Sequence, residues 1–315
     1  MNQYDVVVIG GGAAGLSAAM VLSRAQRRVL VVDAGEPRNA PATHMHGFLS
    51  RDGMPPSELL AAGRQEVKAY GGDFIDASVV EVGPDGDGFH VSLLHGATVS
   101  ARRLLLATGL RDELPHVDGL QERWARDVLH CPYCHGYEVR GRRFGVLGGP
   151  EAVRYAQIVR QWSNDVVLFT PDGALADEAR EQLVARAVGL VEGYVERVVV
   201  EQDRLVGVAL DDGRFVPRDV LFVPPRFVPN NDVFLGLGCE LDEAGWVVTD
   251  ETGQTTVAGV WAAGNVRNPR AQVITAAGEG STAAIALNAD LVDEDVRNAV
   301  REHRSETGRA RTSID

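Results

Sequence analysis

Short blocks of uninterrupted apolar residues alternate with small-residue and polar segments along the chain. Residues 4–10 (YDVVVIG) and 28–32 (RVLVV) are two such blocks, and apolar runs of this length bounded by turn residues predict buried strands of a parallel sheet. Between them, residues 10–25 (GGGAAGLSAAMVLSRA) predict a helix opened by glycines. The same order recurs from residue 144: FGVLGG, then PEAVRYAQIVRQW as a helix, then DVVLFT as a strand over 165–170. Residues 103–109 (RLLLATG) and 259–266 (GVWAAGNV) are further short strands that run into glycine turns. The alanine-rich stretch 272–291 predicts a helix, and the charged stretch 293–315 a helix fraying into a tail.

Two strand–glycine–helix units predict an α/β protein with two dinucleotide-type folds. Breaks at 112–119 and 224–231 (PPRFVPNN) flank the middle one. The last segment has no glycine fingerprint of its own and is expected to complete the first domain. The expected organisation is a discontinuous domain over 1–113 and 241–315, with a second domain, 114–240, inserted in it.

The first glycine turn is the more informative one. Gly10, Gly12 and Gly15 form GxGxxG at a helix start, with Ala13 and Ala14 opening the helix and Asp33 ending the next strand. GxGxxG alone is weak, but strand, glycine turn, helix, strand and acid in this order make a dinucleotide-binding unit. Gly10 permits the tight turn, Gly12 lets a pyrophosphate reach the backbone, and Gly15 lets helix and strand touch. The helix N-terminus then faces the phosphates, and Asp33 accepts from a ribose.

With 315 residues there is room for two ordinary domains. The formal net charge of −13 argues against a nucleic-acid or anionic-membrane surface. No apolar run approaches the roughly 20 residues that span a bilayer. The N-terminal MNQYDVVVIGGG reads as a first strand and not a signal peptide, so a cytoplasmic protein is expected.

Only three cysteines are present, and two of them sit in HCPYCHGYEVRG, residues 130–141. Cys131 and Cys134 could be a metal clip, a structural disulfide or a redox pair. Zinc normally takes four ligands, and His130 and His135 lie too close beside the cysteines to chelate well, so no metal is expected. A reducing cytoplasm disfavours structural disulfides. A redox pair is the better reading, with Cys239 as an inert small hydrophobe. His44 and His46 in THMHGFLSRD (43–52) could bind a metal or line a pocket, but a plain loop near the cofactor is the simpler reading. Trp162 and Tyr155 read as packing residues.

Taken together, Gly10–Gly15, the turn Ala107–Thr108–Gly109, the pair Cys131–Cys134, and residues 261–266 followed by 272–274 resemble the low-molecular-weight thioredoxin reductases across nearly the whole chain. The resemblance implies two Rossmann-like (FAD/NAD(P)-binding type) domains, FAD held by the first, a homodimer, and a redox pair on the second domain that works against the flavin. It places Gly10, Gly12, Gly15 and Asp33 on the ADP half of FAD, Gly264 and Asn265 near the flavin and ribityl chain, and Gln272 and Val273 beside the ring. The family usually has Asp where Asn265 stands; an amide can still bond a ribityl hydroxyl.

The departures narrow the reading. The reductases carry a second GxGxxA turn for NADPH. This chain has Gly148-Gly149-Pro150-Glu151-Ala152-Val153, where Pro150 removes an N–H and adds a ring and Val153 replaces a small residue. The next turn is Thr170-Pro171-Asp172-Gly173, with no cation for a 2′-phosphate and an acid that repels one. HCPYCHG has His135 where many reductases have Asp, and it resembles the flavin-dependent dithiol oxidases that close disulfides in small natural products of the gliotoxin and holomycin type. That resemblance implies that Cys131 exchanges with a small dithiol, that Cys134 lies nearest the flavin, and that oxygen is the acceptor. His135 is the expected acid/base, with His130 as second choice. The alternatives are an NAD(P)H-dependent reductase of thioredoxin or a similar protein, an enzyme linked to ferredoxin or another flavin, and a flavin-binding scaffold or redox sensor.

Overall fold

The structure, a computed structural model, describes residues 3–149 and 151–312. Packing divides the chain into two units. The first comprises the chain up to residue 38, residues 57–111, and residues from 229 onward; the second comprises 39–56 and 112–228. This differs from an insertion at 114–240 in three ways: 229–240 joins the first unit, and residues 112–113 and the loop 39–56 join the second. Phe234 explains the first difference, since it is fully buried in the first unit's core beside Val82 and Val247.

The first unit is built on a seven-stranded sheet. Its parallel part runs in the order Asp73–Asp76, Val29–Asp33, Gln3–Ile9, Thr98–Leu106. The strand Thr98–Leu106 has a divided outer edge. Its first half pairs antiparallel with Gly88–Leu93, which pairs with Val79–Asp85. Its second half pairs parallel with Val260–Ala262, with Val260 opposite Leu104 and Ala262 opposite Leu106. Strands covered on both faces read as continuous apolar runs, and Val6, Val7, Val8, Leu30, Val31, Leu104, Leu105 and Leu106 are all fully buried.

The helix Ala13–Arg24 covers one face of this sheet together with the start of the 40-residue helix Val273–Thr312. Ala276, Ala283, Ala284, Leu287 and Leu291 recur at helical spacing and are buried there. Gly280 belongs to that stripe because a side chain would not fit: a Cβ would stand 2.0 Å from the Ala14 carbonyl oxygen. The charged stretch after residue 292 remains helical through Thr312. Its acids are anchored: Asp295 takes Arg27 at 2.7 Å and Arg102 at 2.5 Å, and Glu294 takes Arg103 at 2.5 Å. The expected terminal tail, residues 313–315, lies outside the described residues.

The second unit holds a five-stranded parallel sheet in the order Val188–Glu192, Val166–Thr170, Phe144–Leu147, Val220–Phe222, Val128–Leu129. The helix Ala152–Val159 packs on it through Ala152, Ala156 and Val159. A three-stranded antiparallel sheet, Val195–Glu201, Arg204–Leu210 and Phe215–Pro217, completes the unit. No described helix is long and apolar enough to cross a membrane.

Candidate active site

Cys131 and Cys134 form a disulfide, with Cα atoms 5.2 Å apart. Cys131 leaves the short strand Val128–Leu129 two residues after its end and caps the single helical turn Pro132–His135. Proline suits the first position of that turn because its missing N–H has no partner to lose. The Cys134 N–H points at the Cys131 sulfur at 3.1 Å. Pro132 is buried beneath the turn, while Tyr133 and Tyr137 are about two-thirds exposed on its outer side. At Gly136 a Cβ would lie 2.8 Å from the Trp162 indole, so the turn rests directly on that ring. Tyr133 meets the same indole edge-on, with ring centroids 5.4 Å apart.

His135, the last residue of the turn, has its imidazole pKa lowered. Burial is the main cause and His46 adds to it, while the Glu138 carboxylate pulls the other way. His130, which precedes the pair in the chain, meets Phe227 edge-on with ring centroids 5.1 Å apart. Its backbone carbonyl receives the Tyr155 hydroxyl. Tyr155 therefore does more than fill space: it ties the helix Ala152–Val159 to the residue before Cys131. The loop carrying His44 and His46 packs within the second unit. His44 is exposed, and His46 faces Asp52 at 3.3 Å and Glu138 at 3.5 Å. Among the described residues no three His, Cys, Asp or Glu side chains converge as metal ligands.

In the first unit, the glycine turn meets the geometric demands of a dinucleotide. Gly10 has φ +104°, and a Cβ there would stand 2.3 Å from the Ala107 carbonyl oxygen. Gly15 has no room either, since a Cβ would lie 1.9 Å from the Gly10 oxygen. At Gly12 a Cβ would meet nothing within 4 Å. That residue is also the N-cap of the helix Ala13–Arg24 and supplies no capping side chain. The first turn of the helix thus has no capping side chain, and the open side of Gly12 leaves room for a phosphate to approach it. Asp33 accepts from the Gly11 N–H at 3.0 Å and from Arg64 at 3.3 Å; a carboxylate has further lone pairs to share with a ribose.

The Ala107–Thr108–Gly109 turn is stitched to residue 230. Thr108 Oγ1 donates to the Asn230 carbonyl at 2.7 Å, and the Asn230 side-chain amide returns a bond to the Thr108 carbonyl at 2.9 Å. The Gly264 N–H donates to Glu279 at 2.9 Å. The Asn265 side-chain N–H₂ is used inside its own loop, on the carbonyls of Asn268 at 3.0 Å and Ala271 at 3.1 Å. Its oxygen is thus the end of the amide left to meet a hydroxyl. Gln272 and Val273 stand at the start of the long helix, where the Gln272 carbonyl accepts from the Ala276 N–H at 2.8 Å. The first unit thus gathers Gly10, Gly12, Gly15 and Asp33 in one turn region, with Ala107 against Gly10 and Gly264 against Ala14.

The corresponding turn of the second unit is chemically different. Pro150 lies outside the described residues. Glu151 is the N-cap of the following helix, so a carboxylate belongs to the end where a phosphate would dock. Ala152 and Ala156 are buried in the helix–sheet core, and Val153, where a small residue would be usual, packs against that core only partly buried. In the next turn, the Gly173 N–H donates to Glu192 at 3.1 Å, and Arg180 is committed to the same carboxylate at 2.5 Å.

Sequence reasoning missed Asn230, Glu279, Gly280 and Arg64 in the first unit, and Glu138, Asp52 and the Tyr155 bond in the second. Glu138 carried a signal, since it falls three residues after His135. Asn230 carried none, being 122 positions from the Thr108 it meets.

Comparison with known proteins agrees with this geometry. The pyridine nucleotide-disulphide oxidoreductase family matches residues 4–280, and the chain belongs to it. Within that family it is a flavin-dependent disulfide oxidoreductase of thioredoxin reductase-like fold. It is 33% identical to thioredoxin reductase sirT of Leptosphaeria maculans, over 93% of this chain and 96% of that one. The crystal structure of HlmI superposes with a TM-score of 0.92 at 55% identity, covering 95% of this chain and 96% of the other. A putative thioredoxin reductase TrxB from Bacillus anthracis gives 0.88 at 30% identity, over 93% and 99%.

Proposed function

We propose that the protein is an FAD-dependent oxidase of a small dithiol, acting in the cytoplasm, with Cys131, Cys134 and His135 as its reacting groups. The observation that carries this reading is the Cys131–Cys134 disulfide joined directly to His135, an imidazole that burial keeps short of a proton. A thiol attacks only as its thiolate, and a free thiol pKa of about 8.5 leaves little thiolate at neutral pH. A neutral imidazole beside the disulfide can take that proton.

The substrate thiolate attacks the Cys131 sulfur. A substrate–Cys131 bond forms, the Cys131–Cys134 bond breaks, and Cys134 leaves as a thiolate. The second substrate thiol gives up its proton and attacks the substrate sulfur of the mixed disulfide. Oxidised substrate and the Cys131 thiolate separate. The substrate has lost two electrons and two protons, and the cysteine pair has gained the electrons. Gly10, Gly12, Gly15, Asp33, Thr108, Gly264 and Asn265 would hold FAD, which would supply the two-electron acceptor for the reduced cysteine pair and the route from there to oxygen, reduced to hydrogen peroxide. His130 packs and carries the Tyr155 bond, leaving the proton chemistry to His135.

Glu151, Asp172 and Glu192 favour oxygen over a nicotinamide as redox partner. All three are carboxylates in the region where a pyrophosphate or a 2′-phosphate would need donors. Arg180, a cation at that turn, is already paired with Glu192.

Anaerobic mixing tests the reading. Dithiothreitol should bleach the flavin, and air should restore its colour while peroxide appears. NADPH should leave the spectrum unchanged. If NADPH bleaches at least as fast and a thioredoxin then restores the colour, the protein is a pyridine-nucleotide-dependent reductase. If neither bleaches it, it is a scaffold.

A further inference from the structure

The loop before residue 54 does more than connect. Met45 is buried and exchanges backbone bonds with the far arm of the loop: its N–H donates to the Met54 carbonyl at 2.9 Å, and its carbonyl accepts from Gly53 at 2.9 Å. His46 therefore projects from a fixed backbone. Its Nδ1 lies 3.3 Å from Asp52 Oδ2 and its Nε2 lies 3.5 Å from Glu138 Oε1. Asp52 is itself fixed by the Gly47 N–H at 2.9 Å. A carboxylate thus stands at each ring nitrogen of His46. Glu138 is only three residues beyond His135, and its charge also acts on that imidazole.

Among the described residues, the charged groups acting on these two rings come from two segments. The loop supplies His46 and Asp52, and the redox turn supplies His135 and Glu138. Glu138 favours a proton on His135, and His46 disfavours one.

We propose that His46 is a positioning residue for His135: seated between Asp52 and Glu138, it engages the Glu138 charge and so keeps the neighbouring imidazole ready to accept a proton. The inference rests on the acid/base reading of His135, and its test separates the two. Three variants of the full-length holoenzyme are compared: His46→Gln, Glu138→Gln and Asp52→Asn. Two quantities are read. One is the protonation midpoint of His135 in histidine-labelled protein by NMR, assigned by its loss in His135→Asn. The other is the acid limb of the pH–rate profile for dithiothreitol oxidation.

Removing His46 frees Glu138 to favour the His135 proton, so the midpoint and the acid limb rise, by about half a pH unit for partly exposed charges. Removing Glu138 moves both down. Asp52→Asn follows His46→Gln with a smaller rise. Opposite shifts in the His46 and Glu138 variants support the proposal, because a purely structural role lowers turnover without parting the two midpoints. Midpoints that stay together overturn it. Midpoints that part while the acid limb stays fixed uphold the positioning and remove His135 as the base.

Discussion

The hydroxyl of Tyr155 donates to the backbone carbonyl of His130, the residue immediately ahead of Cys131. The phenol is deeply buried and its pKa is raised by that burial, so it remains a donor throughout the working range. Tyr155→Phe leaves a carbonyl short of its partner, at a cost of about 1–3 kcal/mol. Urea unfolding should show a lower midpoint with an unchanged slope. Dithiol oxidation should slow by a factor that stays constant between about pH 6 and 9, since no group is being titrated. A factor that varies with pH would mean that the hydroxyl takes part in proton transfer.

Gly12 and Gly15 should respond in opposite ways to the same substitution. Gly15→Ala drives a methyl into the Gly10 carbonyl, and the first unit should fail to fold. Gly12→Ala meets nothing in the protein and should cost the apoprotein no more than about 1 kcal/mol as a poorer helix cap. The added methyl sits where a pyrophosphate would approach, so FAD affinity should fall at least about tenfold, or 1.4 kcal/mol. The ratio of flavin to protein absorbance, read beside apoprotein melting, checks both.

The three thiols should separate by accessibility. Cys239 is 6% exposed and burial raises its pKa, with Thr255 partly offsetting the rise. A chromogenic disulfide reagent should find no fast thiol in the oxidised protein and two after reduction. The third should appear only in denaturant. A fast third thiol in the native reduced protein would contradict the packing of Cys239.

Asp295 should contribute to acid unfolding. Its carboxyl is held below the usual range by Arg27 first and Arg102 second. A folded pKa below the unfolded one gives stability that is present above the unfolded value of about 3.9 and lost as pH falls through the folded one. Asp295→Asn should lower Tm at pH 7, and the gap from the parent protein should close below about pH 4. A gap that persists there would point to the side chain's shape and not its charge.

Much of this was legible in the sequence, for a physical reason. The two strand–glycine–helix units use apolar runs and glycines whose role is largely decided within a few residues: Gly10 needs its positive φ for the turn, and a side chain on Gly15 would collide with the Gly10 carbonyl five positions back. The redox pair is similarly local, being closed over three positions. Long-range pairings were not legible. Nothing near Asn230 marks it as the partner of Thr108, and the loop 39–56 gave no sign of packing within the second unit. The helix rotation that buries Ala152 and Ala156 and leaves Val153 partly buried beside them is likewise not written in the local sequence. Tyr155 was read as packing because an aromatic on a buried helix face does not reveal in sequence which carbonyl its hydroxyl will reach.

The divided edge of Thr98–Leu106 has a consequence for biogenesis. Val260–Ala262 leaves the ribosome only after the whole of 112–228, so the amino-terminal sheet waits with half an edge bare while a complete unit is synthesised and can collapse. Bare strand edges recruit other chains. A nascent chain arrested near residue 240 should therefore bind chaperones or aggregate, and one released past the long terminal helix should not.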